Sequence, residues 1–209
     1  MFEKTESLVI VEGDKKQSWA TPVALRWLQI LLLERFGQMF HLCLHDERRL
    51  FLSYAGSMQR IEIAIEGEVF TRADSKLPCA HWNSASEGKY QVLQSILPAP
   101  GVWQLSSPLI VRIPDGFRIN YDLLGLTYWM LTRQEEICRS DLDEHGRFPA
   151  TASHAFQNAY LERPIVDEWL NILGRVINQT WPSLPLKTHN FSIKVSHDVD
   201  EPSKYAFKP

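Results

Sequence analysis

Between Arg60 and Glu66 the chain alternates Ile61, Ile63 and Ile65 with Glu62, Ala64 and Glu66. Successive side chains of a strand point to opposite faces, so this period of two describes a strand buried on one side only. Such a strand needs ladder partners along its edges and an apolar layer against its buried face. The neighbouring residues supply candidates for both.

Strand-like runs cover Met39 to Leu44, Arg49 to Tyr54 and Pro108 to Ile113, the last ending in a Pro114-Asp115-Gly116 turn. A further short run, Leu8 to Val11, leads into Gly13-Asp14. Helical runs are interleaved with them. The first begins at Pro22, with Thr21 as its cap, and stops at Gly37. Trp27, Ile30, Leu31 and Glu34 share one face of it, which places Trp27 in the core. Asn120 to Cys138 reads as a largely buried helix whose solvated end is Gln134-Glu135-Glu136. Pro164 opens another, Ile165 to Trp181, with Ile165, Trp169, Ile172, Leu173, Val176 and Ile177 on its apolar face and Pro182 as its stop. From Thr71 to Ser107 the pattern weakens, and loops with short elements are expected. Interleaved helices and strands give an α/β class, a mixed β-sheet flanked by helices.

Composition narrows the partners. Of 209 residues 44% are hydrophobic and 11% aromatic, enough for an ordinary core. A net charge of -3 with no basic cluster speaks against nucleic acid. The basic pairs Lys15-Lys16 and Arg48-Arg49 read as solvated surface. The start lacks the basic-then-apolar order of a secretory signal. The apolar cluster Ala24 to Leu33, interrupted by Arg26 and Gln29, is too short and polar to span a bilayer. Cys43, Cys79 and Cys138 are odd in number and far apart, which fits a reducing, cytoplasmic setting and small buried side chains.

The strongest chemical signal is a last apolar run, Phe191 to Val195, leading into Ser196-His197-Asp198-Val199-Asp200. Carboxylates two apart at the end of a barrel strand can divide their labour, one binding a divalent metal and the other taking a proton. The segment Phe191 to Pro202 resembles the first motif of polysaccharide deacetylases of the NodB-homology type, carbohydrate esterase family four. Three upstream blocks resemble the region ahead of that motif in one subgroup: Tyr121 to Glu136, Asp143 to Pro149 and Arg163 to Trp169. The resemblance covers Asp115 to Pro202. It implies Asp198 as catalytic base and Asp200 as a metal ligand, although the family more often has two adjacent aspartates. It also implies a divalent metal, zinc foremost, completed by two later histidines, and a later histidine acid. A catalytic zinc takes three protein ligands, so a chain stopping at Pro209 is expected to hold no stable metal and to be inactive alone.

Other candidates are weaker. His41 and His45, on a strand, would stand roughly 13 Å apart and could not share an ion. Cys79-Ala-His81 lacks partner ligands. The loop Asp143-Glu-His-Gly-Arg-Phe-Pro149 offers His145 and Arg147 as contacts to a sugar or to a following domain; the plainer reading is a loop held by its own ion pairs, with Phe148 in the core and Gly146 in a left-handed turn. Trp82 and Trp103 are expected to be buried, although an exposed indole stacks well on sugar rings.

The resulting expectation is an accessory α/β domain over residues 1–188, then, over 189–209, the first strand of a missing (β/α) barrel. Its partners would be a polysaccharide or sugar precursor and its own C-terminal barrel. A carbohydrate- or partner-binding module, or a purely structural dimerisation domain, are the alternatives.

Overall fold

The structure, a computed structural model, describes residues 17–87, 90 and 92–196. The expected strand at Leu8 to Val11 and the pair Lys15-Lys16 lie outside the described residues.

Helix α1 spans Pro22–Phe36. The Thr21 hydroxyl accepts a hydrogen bond from the Ala24 amide at 3.2 Å, and Gly37, at φ 69°, closes the other end through its N–H to the Leu33 carbonyl. The buried stripe is Ala24, Leu28, Leu32 and Phe36, one residue on from the face expected. Trp27 is half-buried, edge-on to Tyr128, and Ile30 is exposed. Because Leu25 to Leu33 is apolar almost all round, its pattern did not single out a stripe; packing against the sheet did.

Strands β1 (Phe40–Asp46), β2 (Arg49–Tyr54) and β3 (Arg60–Ala64) form an antiparallel meander. In the middle of the chain β4 (Cys79–Asn83) and β5 (Ile96–Pro100) pair as a separate two-stranded sheet. These are the short elements expected among the loops of this stretch, although their pairing into a sheet was not foreseen. Pro98 and Pro100 mask the strand pattern, because proline lacks an N–H and suits only a strand edge. Their carbonyls are used instead, accepting from the Trp169 indole at 2.9 Å and the Tyr121 hydroxyl at 2.8 Å.

Strands β6 (Ile110–Ile113) and β7 (Gly116–Ile119) form a hairpin around Pro114-Asp115, and β7 lies parallel to β3. The order is β1-β2-β3-β7-β6, a mixed sheet. Gly116 makes the parallel pair possible. It sits at φ 137°, and a Cβ there would fall 2.1 Å from the Arg60 carbonyl oxygen.

Helix α2 (Leu123–Leu131) is shorter than expected. Thr132 turns its hydroxyl onto the Tyr128 carbonyl, and Arg133 takes a left-handed conformation that ends the helix. A one-turn α3 (His154–Gln157) precedes α4 (Ile165–Thr180). Every residue assigned to the apolar face of α4 is buried. Helices α1 and α4 pack on the sheet, and the aromatic core joins Trp169 to Trp82 and Tyr121 at 5.7 and 4.6 Å between ring centres. The cysteines depart from expectation: Cys43 and Cys138 are exposed and Cys79 half-buried, all free.

Candidate functional site

The expected catalytic residues Asp198 and Asp200 lie outside the described residues. The segment that delivers them is described as far as Ser196. After α4 the chain turns back to the C-terminal end of α1. There the Lys187 amide donates to the Phe36 carbonyl at 2.8 Å, and the Gln38 amide nitrogen donates to the Pro185 carbonyl at 2.7 Å. The Lys187 ammonium reaches the Glu34 carbonyl at 3.2 Å, and a His189 ring nitrogen the Arg35 carbonyl at 2.7 Å. These groups satisfy carbonyls that a helix end leaves open, and the lysine complements its dipole.

Beyond this fastening, residues 191–196 run without a ladder partner among the described residues, so the expected strand is not formed here. Phe191, Ile193 and Val195 are 89%, 71% and 87% exposed, an alternating apolar edge turned to water. A strand needs a partner to satisfy its backbone.

The loop carrying His145 and Arg147 is organised by Asp143. Its carboxylate accepts from the His145 amide at 2.9 Å, the Arg147 amide at 2.8 Å and the Arg147 side chain at 3.2 Å. Gly146 is left-handed at φ 70°. His145 and Arg147 are exposed. Phe148 is half-buried under the Arg139 guanidinium, 5.1 Å from its ring centre, not in the core. His41 and His45 both face outward on β1. Among the described residues no three His, Cys, Asp or Glu side chains are grouped so as to hold a metal ion. No helix among them is long and apolar enough to cross a membrane.

Several acids that the sequence did not single out are embedded in the fold. Asp122, fully buried at the N-cap of α2, accepts from the Gly125 amide at 2.7 Å, the Glu66 amide at 2.7 Å and the Trp19 indole at 2.8 Å. Burial pushes its carboxyl up to about 7 against the downward pull of those three donors. Glu168, also buried, forms a two-pronged ion pair with Arg163 at 2.6 and 2.9 Å and accepts from the Leu93 amide. On the sheet face away from the helices Glu62 pairs with Arg118 at 2.7 Å and Arg60 at 3.2 Å; burial works to raise its carboxyl, but the two arginines hold it below the usual range. The Arg60 guanidinium lies 4.4 Å above the centre of the Phe51 ring, which in turn stacks on His45 at 4.3 Å. Glu135, read as helix surface, accepts from the His154 amide at 2.9 Å. His154 is buried between Tyr160 and the Leu77 carbonyl, and burial lowers its basicity.

These contacts give the upstream blocks a structural meaning. Tyr121, Asp122, Trp129, Arg163, Glu168 and Trp169 hold the core together, whatever chemistry follows. The sequence model of a family of unknown function, DUF7033, matches residues 21–182. The chain belongs to that family. No curated protein and no solved structure matches it. The DUF7033 match starts at the Thr21 cap of α1 and ends at Pro182, just past α4, so the DUF7033 unit contains both sheets and the four α-helices found among the described residues. The fastened segment 185–189 and the exposed run after it follow the matched region.

Proposed function

We propose that the DUF7033 unit is the leading accessory domain of a metal-dependent polysaccharide deacetylase, whose catalytic barrel begins with the strand at Phe191. The observation that carries this reading is the apolar alternation of Phe191, Ile193 and Val195, exposed and without a ladder partner among the described residues, a few residues ahead of Asp198 and Asp200 in the sequence. An alternating apolar segment exposed to water gains most by joining a sheet. The motif it leads into is the one that resembles the first deacetylase motif. In this reading Asp198 serves as base and Asp200 as one metal ligand. Among the described residues no three His, Cys, Asp or Glu side chains are grouped to hold a metal ion; in this reading the remaining ligands are the two later histidines that the resemblance implies. The accessory domain supports the barrel or positions the sugar polymer.

The test supplies zinc and an acetylated oligosaccharide to the 209-residue chain and to a longer form extended through downstream histidines. Acetate release by the longer form alone, lost in Asp198→Asn, supports the assignment. A longer form that binds zinc yet releases no acetate rejects it.

A further inference from the structure

The loop between β5 and β6 displays an indole to solvent. Trp103 is 87% exposed, whereas its neighbours Val102 and Leu105 pack against the core. The loop is pinned on both sides. The Gly101 amide donates to the Pro78 carbonyl at 2.8 Å, and a Cβ on Gly101 would fall 2.6 Å from the Phe70 ring, so the backbone lies close over that ring. Further on, the Leu109 and Ile110 amides donate to the two Glu87 oxygens at 2.6 and 3.2 Å. Trp103 is therefore held out on a fixed platform, with Gln104 exposed beside it.

The platform borders a groove of about 370 Å³. One wall is the outward edge of β4, where His81 and Asn83 alternate with buried Ala80 and Trp82. Gln104, Ser86, Ser106 and Ser107 complete the polar lining. The Asn83 side-chain oxygen is engaged by the Ala85 amide at 3.0 Å, which leaves its NH₂ to donate. Glu87, the charged residue of the lining, spends both oxygens on the Trp82 indole and the Leu109 and Ile110 amides. Neither lysine nor arginine is among the described residues that line the groove.

We infer that this groove is a saccharide-binding subsite, with the Trp103 indole as stacking platform and Asn83, Gln104 and His81 as hydroxyl partners. A pyranose ring has a face of C–H bonds that suits the electron-rich face of an indole, and a rim of hydroxyls that both donate and accept. Apart from Glu87, whose oxygens are taken up by the Trp82 indole and two backbone amides, the described lining offers amide, hydroxyl and imidazole groups, which suit a polyhydroxylated ligand. A nucleic acid would call for cations to meet its phosphates. A proline-rich peptide docks between aromatic ridges, and a single exposed indole provides only one. The inference does not rest on the deacetylase reading, because sugar binding here needs no metal and no residue beyond Ser107.

The 209-residue chain is titrated in EDTA with tetra-N-acetylchitotetraose, with cellotetraose and with a proline-rich decapeptide, following the indole N–H resonances by NMR. Saturable binding of at least one tetrasaccharide, with the Trp103 indole among the shifted signals, is expected. Trp103→Ala weakens it roughly tenfold or more, Trp103→Phe restores part of it, and Asn83→Ala weakens it less. Binding of neither sugar, binding of the peptide alone, or sugar binding that Trp103→Ala leaves intact overturns the inference. Because Trp103 is exposed, its variants keep the circular dichroism of the parent. Acetate release by the longer chain is scored separately, so either idea can fail alone.

Discussion

Replacing Asp122 by alanine removes one acceptor from three donors at once. The Gly125 amide loses its helix cap, worth about 1 kcal/mol. The Trp19 indole and the Glu66 amide are left facing a space with no acceptor, at about 1–3 kcal/mol each. Some of this is returned, because burying a carboxylate is itself unfavourable. The net expectation is a loss of about 4 kcal/mol, a large share of the roughly 5–15 kcal/mol that holds a domain together. With a urea slope of about 2 kcal/mol per molar, the midpoint drops by about 2 M. Urea titration at pH 6, followed by tryptophan fluorescence and by far-ultraviolet circular dichroism, measures it. A midpoint within about 0.5 M of the parent would mean that Asp122 does not link α2, Glu66 just past β3, and Trp19 as described.

The same residue sets a pH dependence. Its folded carboxyl, at about 7, lies above its ordinary value of 3.8, so the folded protein holds a proton that the unfolded chain releases, and this contribution is lost as pH rises from 4 through 7. Across that window it amounts to at most about 4 kcal/mol, and the stability difference between parent and Asp122→Asn should shrink as pH rises. Glu168→Ala strands the Arg163 guanidinium and is expected to cost about 3–5 kcal/mol by thermal unfolding, whereas the paired change Arg163→Met with Glu168→Leu recovers part of it. Gly116→Ala, with its Cβ driven onto the Arg60 carbonyl, should cost about 2 kcal/mol or more, while Gly56→Ala, left-handed but with open space around it, costs about 1 kcal/mol. Equal losses for the two glycines would refute the steric argument at Gly116.

What could be read in advance follows from how local each signal is. The ends of α1 were legible because Thr21, Pro22 and Gly37 act through bonds within a few residues. The face of α1 was not, because burial there depends on a sheet folded from distant residues. Strand β3 announced itself, yet Glu62, expected on the wet side, is only 4% exposed, covered by Arg60 two residues back on the same strand and by Arg118 from across the ladder. The β4–β5 hairpin was hidden by prolines that work through their carbonyls. Trp103 carried no periodic signal; the bracket of Gly101 and Pro108 marks a loop but not the direction of a side chain within it. Asp122 drew no notice in the sequence, where it falls inside the expected Asn120 to Cys138 helix, since its partners Trp19 and Glu66 are distant along the chain.

The fastening of residues 185–189 onto the last turn of α1 leaves only Asn190 between the final anchor, His189, and Phe191. A tether that short has no slack. A folded body continuing from Phe191 would move with the sheet as one lever rather than swing like a bead on a string, and the distance from the Trp103 loop to anything built on that strand would be set by bone rather than by rope.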